Sequence, residues 1–126
     1  MMKTDLIEIF QTIRAQMQPY AVEGFKNKTN TDSAYHLCTE QQVVITELIK
    51  NQVYFFGIEV KEDYVGLYFR PVYTAKEMSV IFSPDLVKQL KENDCFHITK
   101  LDDLLLEQIS NALKAGFIFY KQKGWI

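Results

Sequence analysis

All of the chain's cysteines and histidines fall in two short mirror-image triplets, His36-Leu37-Cys38 and Cys95-Phe96-His97. On a strand, alternate side chains share a face, so each triplet presents its imidazole and its thiol together and turns Leu37 or Phe96 the other way. Two imidazoles and two thiols are the ligand types of a structural zinc site. The spacing lacks the knuckle turns of known zinc motifs, and a sequential meander would hold the two strands apart. The competing reading is therefore isolated polar and thiol positions that share a face. The same residues supply the parts of a thiol nucleophile, which needs Cys38 or Cys95 beside a histidine in space. Asp103 and Glu107 stand one helical turn apart, next to Asp102, but acids in a first turn ordinarily complement the helix dipole. The chain has no Gly-rich phosphate loop, no His-Glu-x-x-His pair, no Gly-x-Ser-x-Gly elbow and no Cys-x-x-Cys.

The other chemistry-bearing stretch is aromatic. Residues 53 to 70 read as two strands, VYFFGIEV and YVGLYFR, joined by Lys61, Glu62 and Asp63. Pairing Val60 with Val65 sets Ile58 opposite Leu67, Phe56 opposite Phe69 and Gly57 opposite Tyr68, with the apolar partners on one face. A slip of one residue would mix Glu59 and Arg70 into that face, so the pattern selects the register. The opposite face then carries Phe55, Gly57 and Glu59 beside Tyr64, Gly66, Tyr68 and Arg70. Aromatics beside glycines make a flat floor for a planar ligand, a peptide or a second copy of the chain. The simpler alternatives are that Tyr68 covers the bare backbone at Gly57, or that the aromatic tail Phe117 to Trp125 folds over the face.

The positioning elements follow from periodicity. Thr4 is a candidate cap for a first helix carrying Leu6, Ile9, Phe10, Ile13 and Met17 on one stripe and ending at Pro19. Residues 26 to 33, KNKTNTDS, lack any apolar side chain and read as an exposed loop. Ala34 to Thr39 and Val43 to Ile45 read as a hairpin across Glu40 to Gln42, with Thr46 to Gln52 a connection. Pro71 suggests a strand end or an edge, and Val80 to Phe82 form a short apolar run. Ser83, Pro84 and Asp85 open a helix through Leu90 that Asn93 and Asp94 stop, and Cys95 to Thr99 is a further strand. A last helix runs from about Asp102 to Ala115, with Gly116 as its left-handed terminus. Segregated helices about an antiparallel sheet predict a two-layer α+β sandwich with the helices on one face.

The chain has 126 residues, 48% of them hydrophobic, which suits one domain over residues 1–126. Its formal charge is −2, from 14 basic and 16 acidic residues, so no global field favours nucleic acid. Acids interrupt the only apolar run at the N-terminus, and no stretch has the length of a membrane span. The expected address is cytoplasmic, with Cys38 and Cys95 as reduced thiols.

The helix at the start, VYFFGIEVKEDYVGLYFRP in the middle and FHITKLDDLLLEQISNAL near the end together resemble the YdhG-like family, a domain of unknown function with a frataxin-like fold. The resemblance runs from about Leu6 to Leu113 and is densest at Tyr54-Phe55 and Val65-Gly66-Leu67-Tyr68. It implies an antiparallel sheet with helices on one side and, for some relatives, an intracellular iron-chaperone role with iron as the ion handled. Frataxin-type iron binding needs a row of carboxylates, and the first helix offers Asp5 and Glu8, with Glu23 beyond it. The leading expectation is a non-enzymatic binding module that uses its aromatic sheet face and has no resident cofactor. Its partner would be a small molecule, a protein or its own copy. Iron handling and a thiol enzyme are the alternatives.

Overall fold

A computed structural model of the chain describes residues 3–39, 43–45, 48–50, 54–69, 75–92 and 95–126. In chain order the elements are α1 (Leu6–Met17), β1 (Phe25–Asn30), β2 (Ala34–Thr39), β3 (Val43–Ile45), β4 (Leu48–Lys50), β5 (Tyr54–Val60), β6 (Val65–Phe69), α2 (Ala75–Ile81), α3 (Pro84–Val87), β7 (Leu90–Glu92), β8 (Cys95–Ile98) and α4 (Asp103–Gln122). Six strands form one sheet in the order β1-β2-β5-β6-β8-β7, with every pair antiparallel. All four helices send buried side chains into one apolar cluster with Phe56, Ile58, Leu67, Phe69 and Phe96 of the sheet. The chain is thus α+β, a sheet with its helices on one face. No helix among the described residues is long and apolar enough to cross a membrane.

The central hairpin pairs as its hydrophobic pattern requires: Phe56 with Phe69, Gly57 with Tyr68, Ile58 with Leu67 and Val60 with Val65. Ile58 and Leu67 are buried, so burial of one face holds the register. The first helix carries its expected stripe, with Ile9, Phe10, Ile13 and Met17 buried. Its cap is Asp5 rather than Thr4; the Asp5 carboxylate accepts from the Ile7 and Glu8 amides. Pro19 lies in a 3-10 turn, Gln18–Val22, that ends the helix. Ser83 caps α3 by accepting from the Leu86 amide, with Pro84 at the first helical position.

Several expectations are corrected. Residues 26 to 30, read as part of a loop, lie instead in the edge strand β1 (Phe25–Asn30), paired to β2. Only Phe25 of this strand is buried, because an edge strand needs a single anchor and leaves its polar residues in water. The chain enters this strand through Gly24, whose φ of 109° is one that glycine adopts freely. Val43–Ile45 does not return along β2 but pairs with Leu48–Lys50 in a separate two-stranded ladder. The corner Glu40 to Gln42 lies outside the described residues, as do Pro71, Asn93 and Asp94. The helix begun at Ser83 stops at Val87, and Leu90 instead starts β7 on the sheet edge. Val80 and Ile81 belong to α2.

Gly116 does not end the last helix. It is buried in mid-helix, and α4 continues to Gln122 because Phe119 and Tyr120 extend the stripe of Ile109, Ala112, Leu113 and Gly116 at helical spacing. Lone glycines cost a helix only about 1 kcal/mol, less than the burial of two aromatic rings contributes. Trp125 then folds back against Tyr120, ring centroids 4.9 Å apart, on the core side of the sheet. The aromatic tail is therefore part of the core rather than a cover for the outer face.

Candidate functional site

Three rows of paired residues cross the sheet face opposite the helices. Lys26, Cys38 and Tyr54 form the first, and Thr29, His36, Gly57, Tyr68 and Cys95 the second. Ala34, Glu59, Gly66 and His97 form the third. The middle of this face therefore holds two bare positions, Gly57 and Gly66, with aromatic rings laid over them. A Cβ on Gly66 would come within 2.9 Å of the Tyr68 ring, so this ring lies over its own strand neighbour. A Cβ on Gly57 would overlap Tyr54 Oη and His36 Nδ1, so the space above that glycine is where those two side chains meet.

Tyr54 is on this face, and Phe55 is not, because β5 is bulged. His36 pairs with Gly57 while Cys38 pairs with Tyr54, so Leu37 alone stands opposite Phe55 and Phe56. The extra residue breaks the alternation and both phenylalanines turn inward. Phe55 is fully buried, stacked on Phe25 at 4.0 Å and edge-on to Tyr120 at 5.1 Å. It is removed from the candidate face.

A continuous polar chain takes its place. The Tyr54 hydroxyl lies 2.5 Å from His36 Nδ1, and His36 Nε2 lies 2.7 Å from Glu59 Oε2. Glu59 Oε1 accepts from Lys61 Nζ at 2.7 Å. The Lys61 ammonium first, then His36, hold the Glu59 carboxyl below its ordinary range against the opposing effect of burial. Glu59 in turn raises Lys61, which also bonds Tyr68. An ionised carboxylate only accepts, so Nε2 of a neutral His36 carries the ring proton and Nδ1 accepts from the Tyr54 hydroxyl. Burial, then the neighbouring Cys95 thiol, pushes the Tyr68 phenol up to about 12. On the far side Tyr64 stacks flat on His97, with centroids 3.7 Å apart. His97 Nε2 is buried and has no hydrogen-bond partner.

Of the residues singled out from sequence, Gly57, Tyr64, Gly66 and Tyr68 occupy this face, while Arg70 lies outside the described residues. The zinc set is not assembled. His36 and Cys38 on β2 are separated from Cys95 and His97 on β8 by β5 and β6. That is about 14 Å at the usual strand spacing, against metal–ligand bonds of about 2 Å. No group of three metal-ligating side chains occurs among the described residues. Cys38 and Cys95 are both buried, and burial pushes the Cys38 thiol up despite Lys26 and Lys28, the reverse of what a nucleophile needs. Of the proposed iron ligands, Asp5 is committed to the helix cap and Glu8 is paired with Lys3 at 2.7 Å. Glu23 follows the far end of α1, about 18 Å away along a 12-residue helix. Asp102 caps α4 by accepting from the Leu105 amide, and Asp103 sits in its first turn.

Sequence reading missed Tyr54 and the pairing of His36 with Glu59. One signal was present: glycine in mid-strand marks a close approach, and Tyr54 stands three residues from Gly57. No protein-family model, curated protein or solved structure matches this chain.

Proposed function

We propose that the chain is a cytoplasmic binding module, a YdhG-like domain of frataxin-like fold, that takes a small planar ligand on the outer face of its sheet. One observation carries this reading. The face opposite the helices holds Tyr54, His36, Glu59 and Lys61 in an unbroken hydrogen-bonded chain, with the Tyr54 hydroxyl and His36 ring filling the space above Gly57 and the Tyr68 ring that above Gly66. Glycine weakens a strand, so two of them in adjacent strands suit a surface whose purpose is to seat rings. None of these side chains belongs to the apolar cluster beneath the helices. The rings offer stacking area, and Lys61, Glu59 and the phenols offer polar contacts to orient a guest.

The test is a titration of the protein, isotope-labelled at tyrosine and histidine rings, with planar aromatic acids and amines. Expected are saturable shifts at Tyr54, Tyr64, Tyr68, His36 and His97, quiet signals from buried Tyr35, and loss of the response in Tyr68→Ala. Shifts confined to core rings, or none with any compound, would end the proposal. Sedimentation of the same sample shows whether the face instead joins two copies.

A further inference from the structure

We propose that Tyr54 is an activated phenol that accepts acyl groups, with His36 as its general base and Glu59 as the residue that positions that base. This goes beyond ligand binding and does not depend on it, because the reactivity resides in three side chains already in contact. A phenol is a weak nucleophile at neutral pH because its pKa lies near 10. Activation requires a base on its proton and a third group that fixes the base. Both are present: the Tyr54 hydroxyl is 2.5 Å from Nδ1, and Glu59 holds Nε2 at 2.7 Å. The carboxylate fixes the tautomer, leaving the Nδ1 lone pair aimed at the phenol.

The surroundings favour this arrangement. The His36 side chain is 15% exposed, so little water competes for Nδ1. The Tyr120 hydroxyl donates to the Tyr54 carbonyl at 2.6 Å and fixes the backbone that carries the phenol. Covering a bare glycine does not require such a device, as Gly66 on the same face is covered by the ring of Tyr68. At Gly57 the sequence places a tyrosine, a histidine and a glutamate in line, the order of nucleophile, base and orienting acid.

In the step itself, Tyr54 Oη attacks the carbonyl carbon of an activated ester or thioester, forming the new C–O bond. The phenol proton passes to Nδ1, and the imidazolium is stabilised by Glu59. Collapse of the tetrahedral adduct breaks the bond to the leaving group, which takes the proton back from Nδ1. The products are an O-acyl-tyrosine and the free leaving group, with no oxidation or reduction.

The experiment treats the full chain with N-acetylimidazole at neutral pH and follows each tyrosine by peptide mapping, with Tyr64 on the same face as internal reference. General-base assistance is worth about 100-fold or more, so Tyr54 should be acylated at least about tenfold faster than Tyr64. His36→Gln should bring Tyr54 down to the Tyr64 rate. Glu59→Gln should slow Tyr54 while leaving Tyr64 unchanged, with recovery in Glu59→Asp; a merely loosened fold would raise both rates. Equal rates in the unmodified chain, or a fast Tyr54 that His36→Gln leaves unchanged, would overturn the proposal. Should His36→Gln not fold, the unmodified comparison and the Glu59 pair still decide it.

Discussion

Replacing Gly57 with alanine puts a methyl group where Tyr54 Oη and His36 Nδ1 meet, so both side chains must swing away. The Tyr54–His36 hydrogen bond is lost, worth about 0.5–1.5 kcal/mol. The His36–Glu59 bond goes with it; bonds to charged groups are worth about 1.5–3 kcal/mol, and the lower end applies to a carboxylate side chain that is 31% exposed. Against this, alanine is better than glycine inside a strand by about 0.5–1 kcal/mol. The net effect is a loss of about 1–2.5 kcal/mol, read as a lower urea midpoint at unchanged slope. The sign is the sharper test. In a chain already carrying Tyr54→Ala and His36→Ala, the atoms nearest that methyl position, Tyr54 Oη and the His36 ring, are gone. The same Gly57→Ala change should then stabilise by about 0.5–1 kcal/mol. An equal cost in both backgrounds would show that strand strain, not the two side chains, dictates the glycine, and the account of this face would fall.

Phe55→Ala should cost about 3–5 kcal/mol, as for a buried ring in a packed core; a change below 1 kcal/mol would return Phe55 to the outer face and abolish the bulge. The Glu59 carboxyl titrates below its ordinary 4.5 when folded, so its contribution is present above that value and lost as pH falls through the folded one. Urea midpoints of the unmodified chain and Glu59→Gln should therefore differ near pH 6 and draw together as acidification takes the pH below the lowered folded value; a constant gap would contradict the ion pair. Tyr68 should ionise near the value of about 12 in an ultraviolet titration, and that step should vanish in Tyr68→Phe. Truncation after Gly116 removes the buried Phe119, Tyr120 and Trp125, each worth about 1.5–3 kcal/mol, and should abolish cooperative unfolding by circular dichroism. A folded truncated chain would mean that α4 is complete without them.

What the amino-acid order determines is what depends on near neighbours. The alternation in residues 54 to 69 selects one strand register, since any slip would expose Ile58 and Leu67. The spacing of Ile9, Phe10, Ile13 and Met17 makes α1, and Ser83 with Pro84 starts α3, because capping acts within one turn. Tertiary structure decided the rest, wherever a residue's fate rests on a partner distant in sequence. Polar residues 26–30 are a strand only because β2 supplies hydrogen-bond partners. Phe55 is inside only because Phe25 and Tyr120 pack on it where the sheet is bulged. His36 shares a hydrogen-bonded chain with Tyr54 and Glu59, and not a metal with Cys38, because strand order seats β5 beside it and β8 two strands further on. Periodicity reports which face a side chain takes; only strand order and the bulge bring particular side chains together on that face.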